Sequence, residues 1–125
     1  MKFLVAEDYE MVREMLAYIL VNAGHDVVLV KNGRDAWKVL ENGEKIDYIL
    51  SEVDMPEMNG VDLLRKVKTD SRTKNISFIM IGGIDLRPVN ETVSIQAICD
   101  AYGALPLEKP FEQNRLLSFV NSGHL

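Results

Sequence analysis

The sequence predicts an α/β fold, a (βα)5 chain whose five parallel strands form one doubly wound sheet. Three observations carry this. Short apolar runs of strand length alternate, five times, with segments whose apolar residues recur at helical spacing. Glycine and asparagine stand at the junctions, as Gly24, Asn32-Gly33, Asn42-Gly43 and Asn59-Gly60. The length of 125 residues, 47% of them hydrophobic, supplies one core and not two, so a single domain spanning 1–125 is expected.

Phe3-Leu4-Val5-Ala6 reads as the first strand, without the polar alternation of a half-exposed one. Asp8 stands where a helix N-cap belongs, ahead of Val12, Leu16, Ile19, Leu20 and Ala23, and Gly24 ends that helix. Val27 to Val30 is the second strand. Asn32-Gly33 turns into a helix with Ala36, Trp37, Val39 and Leu40, stopped by Asn42-Gly43. Ile46 to Val53 is the third strand, and the loop Met55–Gly60 leads into a helix with Val61, Leu63, Leu64 and Val67. Ile76 to Ile81 is the fourth strand, broken by Gly82-Gly83, with a helix over 89–102 behind it. Ala104–Leu107 is the fifth strand, and a last helix carries Leu116, Leu117 and Val120. Right-handed crossovers between parallel strands place helices on both faces of the sheet.

Composition removes several functions. The net charge of −5 argues against binding nucleic acid through counterion release. No apolar run approaches the ~20 residues of a membrane helix, and no signal peptide precedes Glu7 and Asp8. Cys99 is the single cysteine, which rules out an internal disulfide, suits a reducing cytoplasm and reads as a core residue. The charge is uneven: residues 1–62 carry 13 acidic and 6 basic side chains, residues 63–125 carry 6 and 8.

In an open α/β sheet the site lies beyond the carboxyl ends of the strands. Those ends carry Glu7 and Asp8, Glu52 and Asp54, Gly82 and Gly83, and Lys109. Adjacent strands lie ~4.8 Å apart, so four carboxylates and a lysine can converge on one oxygen-rich pocket suited to a hard cation such as Mg2+. No glycine-rich phosphate loop follows the first strand, where Glu7-Asp8-Tyr9-Glu10 stands, so no nucleotide or other organic cofactor is expected.

The acidic pair Glu7-Asp8, the stretch Asp47-Tyr48-Ile49-Leu50-Ser51-Glu52-Val53-Asp54-Met55-Pro56-Glu57-Met58-Asn59-Gly60, and Gly103-Ala104 followed by Lys109-Pro110-Phe111 resemble the receiver domain of two-component response regulators. The resemblance covers nearly the whole chain and implies a flavodoxin-like receiver fold. It implies an acid at the end of the third strand that accepts a phosphoryl group from a histidine kinase. It also implies Mg2+ on the acidic pair and that acid, a hydroxyl after the fourth strand, and a lysine holding the phosphoryl oxygens.

This chain departs from that pattern. Glu52 stands at the phosphoacceptor position, Gly82 replaces the hydroxyl residue, and Pro106 falls at the aromatic switch, while Glu7, Asp8 and Lys109 remain. Glutamate reaches one methylene further than aspartate, and a displacement of ~1 Å can cost ~100-fold where geometry limits the reaction. Glu52 is within reach of Lys109 as an ion pair. The metal set Glu7, Asp8, Glu52 and Asp54 is therefore expected to hold Mg2+ weakly or not at all, in a receiver that acts through protein contact without phosphorylation. The alternative is a working phosphoacceptor on Asp54 or Glu52, using Mg2+.

Expected partners are proteins: a histidine kinase, a phosphotransfer protein or an output domain. The resemblance implies an output or homodimer face on the fourth helix, fifth strand and fifth helix, with Ile95, Leu105 and Arg115 on offer. Met11, Met15 and Tyr18 form a second stripe on the first helix, on which the family docks kinases; packing against the flank of the sheet is the alternative. Arg65, Lys66, Lys68, Arg72 and Lys74 read as a solvated face, and His25 and His124 as solvated residues without metal-ligand spacing.

Overall fold

Strands of four to six residues and helices of eight to thirteen alternate along the chain. The computed structural model describes residues 1–82, 94–109 and 111–121. In order these are β1 Lys2–Ala6, α1 Glu10–Asn22, β2 Asp26–Val30, α2 Gly33–Glu41, β3 Tyr48–Glu52, α3 Gly60–Thr69, β4 Ser77–Gly82, α4 Ile95–Tyr102, β5 Leu105–Glu108 and α5 Gln113–Asn121. All neighbouring strands pair in parallel, in the order β2-β1-β3-β4-β5. The winding reverses between β1 and β3, which puts the switch point at their carboxyl ends.

The period-2 alternation of the strands divides the core in two. Phe3, Val5, Tyr48, Leu50, Ile79, Ile81 and Leu107 face α1 and α5, packing on Leu16, Ile19, Leu20, Leu116 and Val120. Leu4, Ala6, Ile49, Phe78 and Met80 face α2, α3 and α4, packing on Ala36, Trp37, Leu64, Val67, Ile98 and Cys99. The middles of the three central strands, Phe3–Ala6, Tyr48–Leu50 and Phe78–Ile81, are apolar on both faces because both faces are covered.

Several details differ from the sequence expectation. Tyr9, not Asp8, is the N-cap residue of α1, and it makes no side-chain capping bond. The chain uses one more residue to turn out of β1, and the Tyr9 N–H donates instead to Glu7 Oε1 at 3.1 Å. Ala23 falls on the C-cap of α1 and is exposed, with Gly24 beyond it at φ +93°. β3 begins at Tyr48 rather than Ile46, and β5 ends at Glu108 rather than Leu107. The Asn32 and Asn59 side chains cap α2 and α3, accepting from the N–H of Asp35 and Asp62. Residues 83–93, where Gly83 and the expected start of α4 fall, lie outside the described residues, as do Pro110 and His124.

His25 is half-buried rather than solvated: its ring lies 5.2 Å from that of Phe3, and burial lowers its pKa. In the basic cluster Lys68 is also half-buried, donating to the carbonyls of Lys74 and Ile76 at 3.1 and 2.7 Å. Ile95 is 2% exposed, so it belongs to the core and not to an output face; Leu105 is half-buried and Arg115 exposed. No helix among the described residues is long and apolar enough to cross a membrane.

Candidate functional site

Strand parity decides which end-of-strand side chains meet. Glu7 continues the alternation Phe3, Val5, and Glu52 continues Tyr48, Leu50, so both carboxylates leave the sheet on the α1/α5 face. Lys109 follows Leu107 on that same face. Its backbone N–H donates to Gly82 O at 2.7 Å, which anchors it to the end of β4. From there its ammonium pairs with Glu52 Oε2 and lies 3.8 Å from Glu7 Oε2. The ion pair expected between Glu52 and Lys109 is thus formed, and Glu7 joins it.

The pocket is tight and short of hydrogen bonds. Glu7 is 1% and Glu52 8% exposed. Glu7 Oε2 and Glu52 Oε2 are shut off from solvent and accept no hydrogen bond of good geometry, so charge on Lys109 is what compensates them. Burial pushes the Glu7 carboxyl from 4.5 up to about 7; the neighbouring Glu52 carboxyl adds to the rise, while Lys109 and the Tyr9 amide oppose it. Arg13 wraps over the β1 end, donating to Glu7 O at 2.9 Å and Asp8 O at 3.5 Å.

The loop after β3 holds Glu52 in place. Val53 N–H donates to Ile81 O at 2.9 Å, and Gly60 N–H closes the loop on Val53 O at 2.8 Å. A Cβ on Gly60 would stand 2.2 Å from Glu52 O, so only glycine lets α3 begin directly against the acid's backbone. Glu57 (φ 61°) and Met58 (φ 151°) take left-handed conformations to make this turn, and Gly33 N–H donates to Met58 O at 3.0 Å.

Of the residues singled out in the sequence, Glu7, Glu52 and Lys109 come together. Asp8 and Asp54 are exposed; β3 ends at Glu52, so strand alternation does not carry Asp54 inward. Gly82 is the buried last residue of β4 and offers only its backbone; Pro106 is half-buried in β5 opposite Met80. Arg13 and Gly60 escaped notice as site residues. The available signals were a lone cation in the acidic stretch 7–14 and the glycine that ends the Met-Pro loop.

A divalent ion would need several oxygens converging on one point. Among the described residues no three acidic, histidine or cysteine side chains are grouped to hold a metal. The two inward carboxylates flank the Lys109 ammonium instead, and Asp8 and Asp54 are turned to solvent. The side chains as placed do not fit Mg2+.

On the same side of the sheet a cleft of about 360 Å3, lined by Val12, Met15, Lys109 and Phe111, runs from Lys109 to α1. Cys99 lies on the opposite face, fully buried, its thiol pushed up to about 11 by burial.

The model of the response regulator receiver domain family matches residues 3–121. Chemotaxis protein CheY1 of Helicobacter pylori is 39% identical over 82 residues, which is 65% of this chain and 66% of that protein. The response regulator-like protein APRR3 of Arabidopsis thaliana is 32% identical over 93% of this chain, itself only 23% of that longer protein. The chain thus matches less than two thirds of the length of these curated relatives. The solved structure of Vibrio cholerae CheY4 superposes with a TM-score of 0.78 at 28% identity, covering 97% of this chain and 96% of that one. With the family match, the 2-1-3-4-5 parallel sheet and the strand-end lysine all in agreement, the chain belongs to the response regulator receiver domains.

Proposed function

We infer that this receiver signals through protein contact and does not run the phosphorylation switch. The observation that carries the reading is the Glu52–Lys109 ion pair, seated where the family's phosphoacceptor and phosphoryl-binding lysine belong. An attacking carboxylate must be free and in line with its donor. Glu52 is 8% exposed, its Oε2 is held by the ammonium, and Glu7 crowds the same cation. Lys109 is correspondingly engaged before any phosphoryl group arrives. At the end of β4, Gly82 brings no hydroxyl to bond a phosphoryl oxygen and draw the strand end inward. A built-in ion pair holds one arrangement of β1, β3 and β5, so the surface the domain presents is constant. On this reading Mg2+ binding is weak or absent.

The test is incubation of the chain with a small acyl phosphate and Mg2+, followed by intact mass and amide NMR. The expected result is no gain of about 80 Da, one phosphoryl group, and no Mg2+-dependent shift at Glu7, Asp8 or Glu52. A stoichiometric adduct refutes the reading. Fragmentation would then assign it to Asp54, which is exposed to a donor, or to Glu52. The double substitution Glu52→Asp with Gly82→Thr shortens the acid and supplies the hydroxyl; it is expected to gain acceptance that the parent lacks.

A further inference from the structure

We propose that this chain self-associates through the outer edge of β2, two copies pairing antiparallel so that their sheets join into one. The joint lies at the opposite edge of the sheet from β5, and it does not depend on whether Glu52 accepts a phosphoryl group.

The order β2-β1-β3-β4-β5 leaves two edges, and their backbones differ. In a parallel ladder the residues of a strand turn their N–H and C=O alternately to one side and the other. Asp26 N–H donates to Met1 O at 2.9 Å, and Val30 O accepts from Glu7 N–H at 3.1 Å, so Asp26, Val28 and Val30 face β1. Val27 and Leu29 therefore turn both backbone groups outward, and Lys31 continues the series. At the other edge Lys109 N–H donates to Gly82 O, so Leu105 and Leu107 face β4, and Pro106 and Glu108 point outward. Proline has no N–H to offer and Glu108 is exposed with its charge; both features keep an edge from pairing. β2 has no such guard at Val27 or Leu29. Its register with β1 is unbroken by a bulge, and four of its five residues are valine or leucine. α1 and α2 pack on its faces without closing the edge. Met11, Met15 and Tyr18 are exposed on α1, but among the described strand residues Leu29, at 40%, is the one exposed large apolar side chain. An edge of this kind recruits a further strand.

The side chains select a second copy as that strand. A closed pair has a twofold axis, which sets two β2 strands antiparallel. With the axis at Leu29, that residue exchanges both backbone bonds with its own equivalent, and Val27 does so with Lys31 on either side. The outward groups of Val27, Leu29 and Lys31 are then all paired. Leu29 meets leucine, Val28 lies opposite Val30, and Asp26 lies opposite Asn32. Asp26, exposed at the start of one strand, also comes beside Lys31, exposed just past the end of the other, so unlike charges adjoin at both ends. An axis at Val28 would instead set Lys31 against His25, whose N–H already donates to Leu20 O. A joint this short falls under the ~1,200 Å2 of a stable interface, so the dimer is weak and depends on concentration.

The test is sedimentation of the full chain from about 10 µM to about 1 mM, with amide hydrogen exchange read at both ends of the range. The expected result is a monomer–dimer equilibrium with a dissociation constant of about 0.1–1 mM. Exchange at Val27, Leu29 and Lys31 slows at the high concentration by about two- to fivefold, the inverse of the monomer fraction. Leu29→Lys and Leu29→Glu each set like charges face to face at the axis and are expected to abolish association. Mixed in equal parts they regain it, because lysine then faces glutamate. Urea unfolding followed by Trp37 fluorescence checks that each variant folds, and exchange in the parent chain decides the matter where one does not. The proposal is overturned by a parent chain that stays monomeric throughout the range, or by Leu29→Lys dimerising as the parent does. It is equally overturned by folded variants that stay monomeric when mixed, or by concentration-dependent protection on α1 or on α4, β5 and α5 in place of β2.

Discussion

Lys109→Met removes the ammonium that faces two buried carboxylates while keeping a side chain of similar length. Breaking a buried pair by removing one partner costs about 3–5 kcal/mol. Lys109 is 33% exposed in its side chain, so water reaches its outer side and the cost is reduced to about 2–3 kcal/mol at pH 8. For a domain of this size that is a fall in melting temperature of roughly 6–12 °C. The pH dependence follows from Glu7, whose carboxyl titrates at about 7 in the fold against 4.5 for a solvated glutamate side chain. The folded chain holds this proton more tightly, so the contribution of Glu7 is complete below 4.5 and is lost as pH rises through 7. Lys109 opposes the rise, so its removal drives Glu7 further toward the neutral form and steepens the loss. Urea unfolding followed by Trp37 fluorescence, at pH 5.5 and pH 8 in buffer with chelator, reads both effects. The substitution is expected to cost less than half as much at pH 5.5 as at pH 8. Equal costs at the two pH values, or a variant as stable as the parent at pH 8, would refute the claim that Lys109 compensates Glu7 and Glu52.

Other outcomes follow from the same structure. Gly60→Ala forces a methyl to within 2.2 Å of Glu52 O and 2.9 Å of Met80 Sδ, so denaturant unfolding should show a loss of about 1–3 kcal/mol, with amide shifts reaching Glu52. Asn32→Ala and Asn59→Ala each remove one N-cap bond, and each is expected to cost about 1 kcal/mol by the same assay. Cys99 is fully buried with its thiol pushed up to about 11, so a thiol reagent at pH 8 should label it only at the rate of unfolding, measured by mass against time.

Much of this protein was legible in its residues. Helical and strand periods differ, and glycine and asparagine mark the changes, so ten elements and their order follow from pattern alone; most ends moved by a residue or two because caps depend on local hydrogen bonds, as at Tyr9, while α4 begins at Ile95 behind its Ser94 cap and not at 89. The winding rule then named the strand ends, and Glu7, Glu52 and Lys109 were among the residues there. Which of them meet was not legible. Parity along β1, β3 and β5 sends those three to the α1/α5 face, while the end of β3 leaves Asp54 in solvent. Pattern could likewise place Met11, Met15 and Tyr18 on one side of a helix, but a side is buried or free only relative to what packs against it. By itself the sequence determined the fold class and the identity of the chemical groups, because both depend on residue type and spacing. The tertiary structure alone decided that Lys109 is held between two carboxylates and that α1 keeps an apolar face open, because burial and pairing arise from contacts between segments far apart in the chain.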